Sequence, residues 1–216
     1  ATRSDPETAR QEAEAVLRAE PRHAGARVLL ARLLTRHESE RDRAVELLRD
    51  LVGAGRGAQG QNPTGASVSE RAEACVVSGQ VEFLRDHVTA AQARFQRALE
   101  LDPRSSSALV GIGQILSRQG NFSDAVARFR NALSADRNNL DAVIGIAQAS
   151  LALGQAGDAR QAIEPAIRDN PTDGRLHYWL GRSLAATSDQ RTVAQQSFRE
   201  AIRLQPDNLD AYVSLS

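Results

Sequence analysis

Asn138-Asn139-Leu140-Asp141-Ala142 returns further along the chain as Asp207-Asn208-Leu209-Asp210-Ala211. A second phrase recurs beside it, as Glu100-Leu101-Asp102-Pro103, Asp169-Asn170-Pro171 and Leu204-Gln205-Pro206-Asp207. Setting these in register divides the chain into units 72–105, 106–139, 140–173 and 174–208. The first three units are 34 residues long and the fourth has one more. A fixed period of this size is the mark of a stacked repeat, and it takes precedence over any helix-by-helix reading.

Within the units the small and apolar positions coincide. Position 8 is Gly79, Gly113, Ala147 and Gly181, and position 20 is Ala91, Ala125, Ala159 and Ala194. Position 24 is Phe95, Phe129, Ile163 and Phe198. Position 27 is Ala98, Ala132, Ala166 and Ala201, followed at 28 by Leu99, Leu133, Ile167 and Ile202. Small residues at 8, 20 and 27 let two helices approach closely, and the side chain at 24 then fills the gap toward the next unit. Burying such a Phe is worth about 1.5–3 kcal/mol, and truncating it to Ala costs about 3–5 kcal/mol. Gly120-Asn121-Phe122 and Gly154-Gln155-Ala156 stand where the turn between the two helices belongs.

This pattern resembles the tetratricopeptide repeat, a helix–turn–helix unit, over residues 72–208. The resemblance implies an all-α, right-handed α-solenoid of stacked antiparallel helix pairs, because no unit buries its apolar stripe alone. The usual Trp at position 4 is replaced by Cys75, Leu109, Val143 and His177, and the usual Pro at position 32 is Arg137 in one unit. Unit 72–105 carries Asp86 in place of the turn Gly, and its first helix reads as irregular around Glu82-Phe83.

Working outward, residues 5–20 read as a lone second helix, with Ala9, Ala13, Val16 and Leu17 at helical spacing. Residues 24–52 read as a degenerate repeat, so 1–52 forms an N-terminal half repeat plus a helix pair. The Gly-rich segment 53–70 opposes stable helix and reads as a hinge or as a surface loop inserted in one repeat. Residues 209–216 repeat the opening of a unit and stop, with Tyr212 at position 4. The chain carries no Met, and it is expected to be a piece or processed form of something longer that continues past Ser216. Pro165 falls inside a second helix, where a kink on the outer face is expected.

Composition narrows the function. The 27 basic residues, all Arg, balance 27 acidic ones, which argues against a nucleic-acid partner. No apolar run is long enough to span a membrane, and no secretory leader pattern opens the chain. The protein is expected to be soluble, with cytoplasm and periplasm both open. A Lys-free, Arg- and Ala-rich chain fits a GC-rich bacterial genome. His23, His37, His87 and His177 lie on separate elements, and the one cysteine, Cys75, falls on a packing face. No metal site, cofactor, catalytic constellation or enzymatic activity is expected, since no nucleophile elbow, paired carboxylates or phosphate loop is present. Gly111-Ile112-Gly113 reads as close helix packing, and Asn121-Phe122-Ser123 as a turn.

In the family, the first helix of each unit lines a concave groove through positions 2, 5, 9, 12 and 13. Carried over, position 5 gives Val76, Val110, Ile144 and Tyr178, and position 9 gives Gln80, Gln114, Gln148 and Arg182, with Arg32 from the degenerate unit. A Gln amide donates and accepts, so three in register are able to grip the backbone of an extended peptide. Arg118, Arg175 and Arg182 are positioned to meet an acidic group. The family's carboxylate clamp for chaperone C-termini has Lys at position 5 and Asn at position 9, which this chain lacks.

The resulting expectation is a non-catalytic scaffold that binds an extended peptide or partner protein in its groove and organises an assembly. The alternatives are a recruiting array of a larger enzyme such as a glycosyltransferase, or a periplasmic scaffold of a bacterial exopolysaccharide or pilus export system. Exposed repeat ends add possible self-association.

Overall fold

The computed structural model describes residues 5–53, 65–187 and 190–215, which form twelve α-helices and no strands. They fall into two compact units, residues 1–111 and 112–216.

In the first unit α1 (Pro6–Ala19) packs on α2 (Ala24–Leu34), and α2 on α3 (Arg41–Gly53), which a 3-10 turn at Glu38–Glu40 precedes. Next, α4 (Val68–Leu84) packs on α3, on α2 and on α5 (Val88–Leu101). Helix α6 (Ser106–Arg118) belongs to this unit as far as Gly111. The core gathers Ala13, Val28, Leu30, Leu34, Leu48, Leu51, Val77 and Val81. Arg10 forks onto Glu40 at 2.7 and 3.2 Å, tying α1 to the 3-10 turn. Buried Arg27 donates from Nε to the Leu47 carbonyl at 2.7 Å, which satisfies a group costly to leave unpaired.

Helix α4 is regular through Leu84, so the irregularity expected around Glu82-Phe83 is absent. It also starts earlier than expected. Ser67 Oγ accepts from the Glu70 N–H at 3.2 Å while Glu70 returns a carboxylate oxygen to the Ser67 N–H at 2.8 Å. This capping box satisfies two orphan donors of the first turn. Residues 68–70, read from sequence as part of the Gly-rich segment, are therefore helix. The remainder of the hinge-or-loop reading rests largely on 54–64, outside the described residues.

The second unit holds the rest of α6, then α7 (Phe122–Ala135), α8 (Leu140–Ala152), α9 (Ala156–Asp169), α10 (Gly174–Ala185), α11 (Arg191–Leu204) and α12 (Leu209–Leu215). From α7 onward each helix packs on the next, and α8 also packs on α10. The recurring Asn139 and Asn208 are helix caps: their Oδ1 atoms accept from the N–H groups of Ala142 and Ala211 at 3.0 and 3.1 Å. Asp141 and Asp210 follow in the first turn, where a negative charge complements the helix dipole. Pro165 is exposed on α9, and the helix continues through it.

The repeat period is a packing period. A Cβ at Gly113 would stand 2.6 Å from the Phe129 ring, and one at Gly145 would stand 2.5 Å from it. Phe129 therefore fills a slot open only because both helices lack a side chain there. Phe95 occupies the same kind of slot between Gly79 and Gly111, and Phe198 lies against Gly181. Where position 24 shrinks to Ile163, position 8 grows to Ala147, and Trp179 stands where Gly111 and Gly145 stand in the preceding units. Ile163, Ala147 and Trp179 belong to one cluster, so bulk removed from one helix is replaced from its neighbours.

Asp86 adopts φ +65°, matching Gly120 at +80° and Gly154 at +75°. The turn geometry is thus preserved, with the Cβ strain of the left-handed region carried by Asp86. Asp86→Gly is expected to raise stability by up to about 1 kcal/mol, the strain relief exceeding the added unfolded-state entropy. Chemical denaturation of the two proteins side by side measures this.

Candidate functional site

Position 5 is largely inside. Val76, Val110 and Tyr178 are buried, and Ile144 is half-buried. The apolar row expected to take peptide side chains is instead mostly core, because neighbouring helices pack over it. Position 9 points outward: Gln114, Gln148 and Arg182 are exposed and Gln80 is half-buried. Val76, Gln80 and Val110 belong to the first unit, where Arg32 pairs with exposed Glu73.

The second unit brings five of the expected residues together. Gln114, Ile144, Gln148, Arg175 and Tyr178 line a cavity of about 330 Å3 with Asp141, Gly145, Trp179, Asn208 and Asp210. A second cavity, of about 530 Å3, is lined by Ser117, Arg118, Phe122, Ala149, Leu151, Ala152 and Arg182, and it shares Gln148 and Trp179 with the first.

Arg175 is not available to a ligand in the way its position suggests. Its guanidinium reaches Asp173 at 2.8 and 3.1 Å and Asp141 at 3.0 Å. Asp173 caps α10, and Asp141 comes from the start of α8, so the cation joins two repeats. Burial works to raise the Asp173 pKa, but the hydrogen bonds and charge of Arg175 outweigh it and hold the carboxyl below its ordinary value. The same pairing raises Arg175. A depressed carboxyl stabilises the fold above the unfolded pKa and loses that contribution as pH falls through the folded pKa. Stability is therefore expected to decline as pH drops below the ordinary Asp range near about 4. Arg175→Gln should flatten that decline, read from denaturation midpoints across the acid range.

Arg182 is held differently. Its Nη1 donates to the Tyr178 hydroxyl at 2.9 Å, and its guanidinium carbon lies 5.6 Å from the Trp179 ring centre and 5.9 Å from that of Tyr178. Tyr178 and Trp179 meet edge-on at 5.1 Å, and Tyr178 lies 6.0 Å from Phe198. The aromatic pair thus fixes a guanidinium at the cavity edge while anchoring itself in the core, which limits the entropy that Arg182 loses on binding.

Sequence reasoning placed no role on Trp179, Asp141, Asn208 or Asp210. The signal for the two acids was present, since both stand at position 2, a groove position of the family. For Trp179 the signal was the loss of Gly at position 6 where the preceding position 24 is Ile163. Cys75 is buried, and burial pushes its thiol pKa up against the pull of Arg94, Arg97 and Arg71. Among the described residues no group of His, Cys, Asp and Glu is placed to hold a metal ion. No helix among them is long and apolar enough to cross a membrane.

Two profiles described as the tetratricopeptide repeat match the chain, one over residues 116–182 and the other over 1–60 and 79–139. The protein belongs to the tetratricopeptide repeat family, and its fold is the all-α solenoid of that family. No curated protein matches it in sequence. Among solved structures it is similar to a chain in the APC/C hetero-tetramer Cut9–Hcn1, with a TM-score of 0.74, 14% identity and coverage of 98% of this chain. It spans only 39% of that chain. It is also similar to YrrB, described as a TPR protein with an unusual peptide-binding site, with a TM-score of 0.55, 18% identity and coverage of 94% and 96% of the two chains. MamA from Desulfovibrio magneticus RS-1 gives a TM-score of 0.58 at 19% identity, covering 69% of this chain and 84% of that one.

Proposed function

We propose that the protein is a non-catalytic interaction scaffold whose second unit binds an extended segment of a partner protein. The observation that carries this reading is the pair of cavities sharing Gln148 and Trp179, with the exposed amides of Gln114 and Gln148 along the first. Amides in register hold a peptide backbone irrespective of its side chains, each bond netting about 0.5–1.5 kcal/mol, so several must act together. The half-buried Trp179 supplies a rigid aromatic surface of the kind that dominates interface energetics. The YrrB likeness supports a peptide-binding role for this fold. The zero net charge favours protein over nucleic acid.

A second reading is favoured by the 39% coverage of the chain in the Cut9–Hcn1 structure: these repeats serve as the recruiting segment of a longer protein or assembly. Both readings place the partner in the same groove.

Trp179 is the only Trp in the chain, so its fluorescence reports on the site directly. Peptides selected from a displayed library on the intact protein should shift that emission. The Gln114→Glu/Gln148→Glu variant should bind them at least about tenfold more weakly with unchanged helicity, a loss of about 1.4 kcal/mol. Equal binding by the variant would remove the amides from the mechanism, and binding without any Trp179 response would move the site elsewhere.

A further inference from the structure

The two cavities differ in the charged groups that line them. In the first, Arg175 is occupied by Asp173 and Asp141, so it adds no unpaired positive charge. Asp210 lines the same wall and has no ion-pair partner among the described residues. The remaining polar lining is neutral amide, and the Trp179 and Tyr178 rings form one side. Those rings already accept the guanidinium of Arg182, so the negative charge open to a further cation is that of Asp210. The lining of the second cavity holds no carboxylate, and Arg182, held by the Tyr178 hydroxyl and the aromatic rings rather than by an acid, stands there beside Phe122, Leu151 and Ala152.

We infer that the partner of the second unit is an extended peptide segment carrying both a basic and an acidic residue. The basic side chain seats by Asp210, and the acidic one seats by Arg182 across the Gln148–Trp179 divide. This rests on the groove-binding reading above and adds what that reading leaves open, the chemistry and direction of the segment. Opposite charges at the two ends of one site admit only one orientation of the chain, because the reversed peptide places like charges together.

The test uses the intact protein and a positional-scanning library of extended peptides, each position varied through Arg, Glu, Leu and Gln, read by Trp179 emission. Selected peptides are expected to keep one basic and one acidic position in a fixed order. Asp210→Asn should erase the basic preference alone and Arg182→Gln the acidic preference alone. Each variant should weaken the best peptide by about tenfold. Both side chains are exposed, and circular dichroism checks that helicity is kept. Peptides that shift Trp179 but show no charged position, or whose charge preference survives both variants, overturn this inference and leave the groove reading standing. No peptide response at Trp179 overturns both. A mass that rises with concentration in sedimentation, with Trp179 responding to it, would put a second copy in the groove and overturn the bipolar segment.

Discussion

Phe129→Ala is expected to cost about 3–5 kcal/mol of stability. The ring is 2% exposed and lies in a slot whose walls are the bare backbones at Gly113 and Gly145. Truncation leaves a cavity that two helices without side chains are poorly placed to refill. The converse change separates packing from helix propensity. Gly145→Ala gains about 1 kcal/mol in helix preference, but its Cβ at 2.5 Å from the Phe129 ring forces an overpacking cost of about 1–3 kcal/mol. The net effect is therefore expected to be destabilising while Phe129 is present. In a Phe129→Ile background the clash is relieved and Gly145→Ala should become neutral or stabilising. The third unit shows the same relief: beside Ile163 the chain carries Ala147 at the Gly113 position and Trp179 at the Gly145 position. A double-mutant cycle by chemical denaturation measures the coupling, expected at about 0.5–3 kcal/mol. Additive changes would show that the ring and the glycines do not share one slot.

Trp179→Ala is expected to weaken partner-peptide binding by about thirtyfold or more, the 2 kcal/mol or more of a central aromatic anchor. It touches both cavities and carries the guanidinium of Arg182, so one truncation removes surface from each subsite and frees Arg182 to wander. Trp179 also packs against the cores on either side of α10, so some stability is lost too. Trp179→Phe is the informative control, since it retains a ring for packing and a face for the cation. Binding of a labelled peptide, compared at equal folded fraction, should fall steeply for Ala and only mildly for Phe. Equal affinity for all three proteins would remove Trp179 from the interface.

The first helix of the array shows how local chemistry sets boundaries that composition obscures. The glycines between 53 and 65 suggested irregularity up to residue 70, yet the reciprocal bonds of Ser67 and Glu70 start α4 at Val68. Ser-x-x-Glu is a readable signal. Asp86 made the opposite point: the sequence departed from Gly, and the turn kept its left-handed residue nonetheless. Packing of α4 on α5 fixes the turn more strongly than one residue's preference resists it.

What the sequence by itself determined was the period, and with it the helix pairs and the close helix contacts around Phe95 and Phe129. These depend on spacing along one chain and on residue size, both written directly in the order of residues. The tertiary structure alone decided which groove residues are free to act. Val76, Val110 and Tyr178 share a repeat position that faces a groove in the family, but packing from neighbouring helices buries them. Arg175 reads as a free cation until Asp141, 34 residues earlier, and Asp173 are seen to close on it. Trp179 gains its place because a smaller Ile163 lies beneath the position that glycine holds elsewhere. Burial and charge pairing are properties of neighbours in space, and in a stacked repeat those neighbours come from the next unit rather than from the next residue.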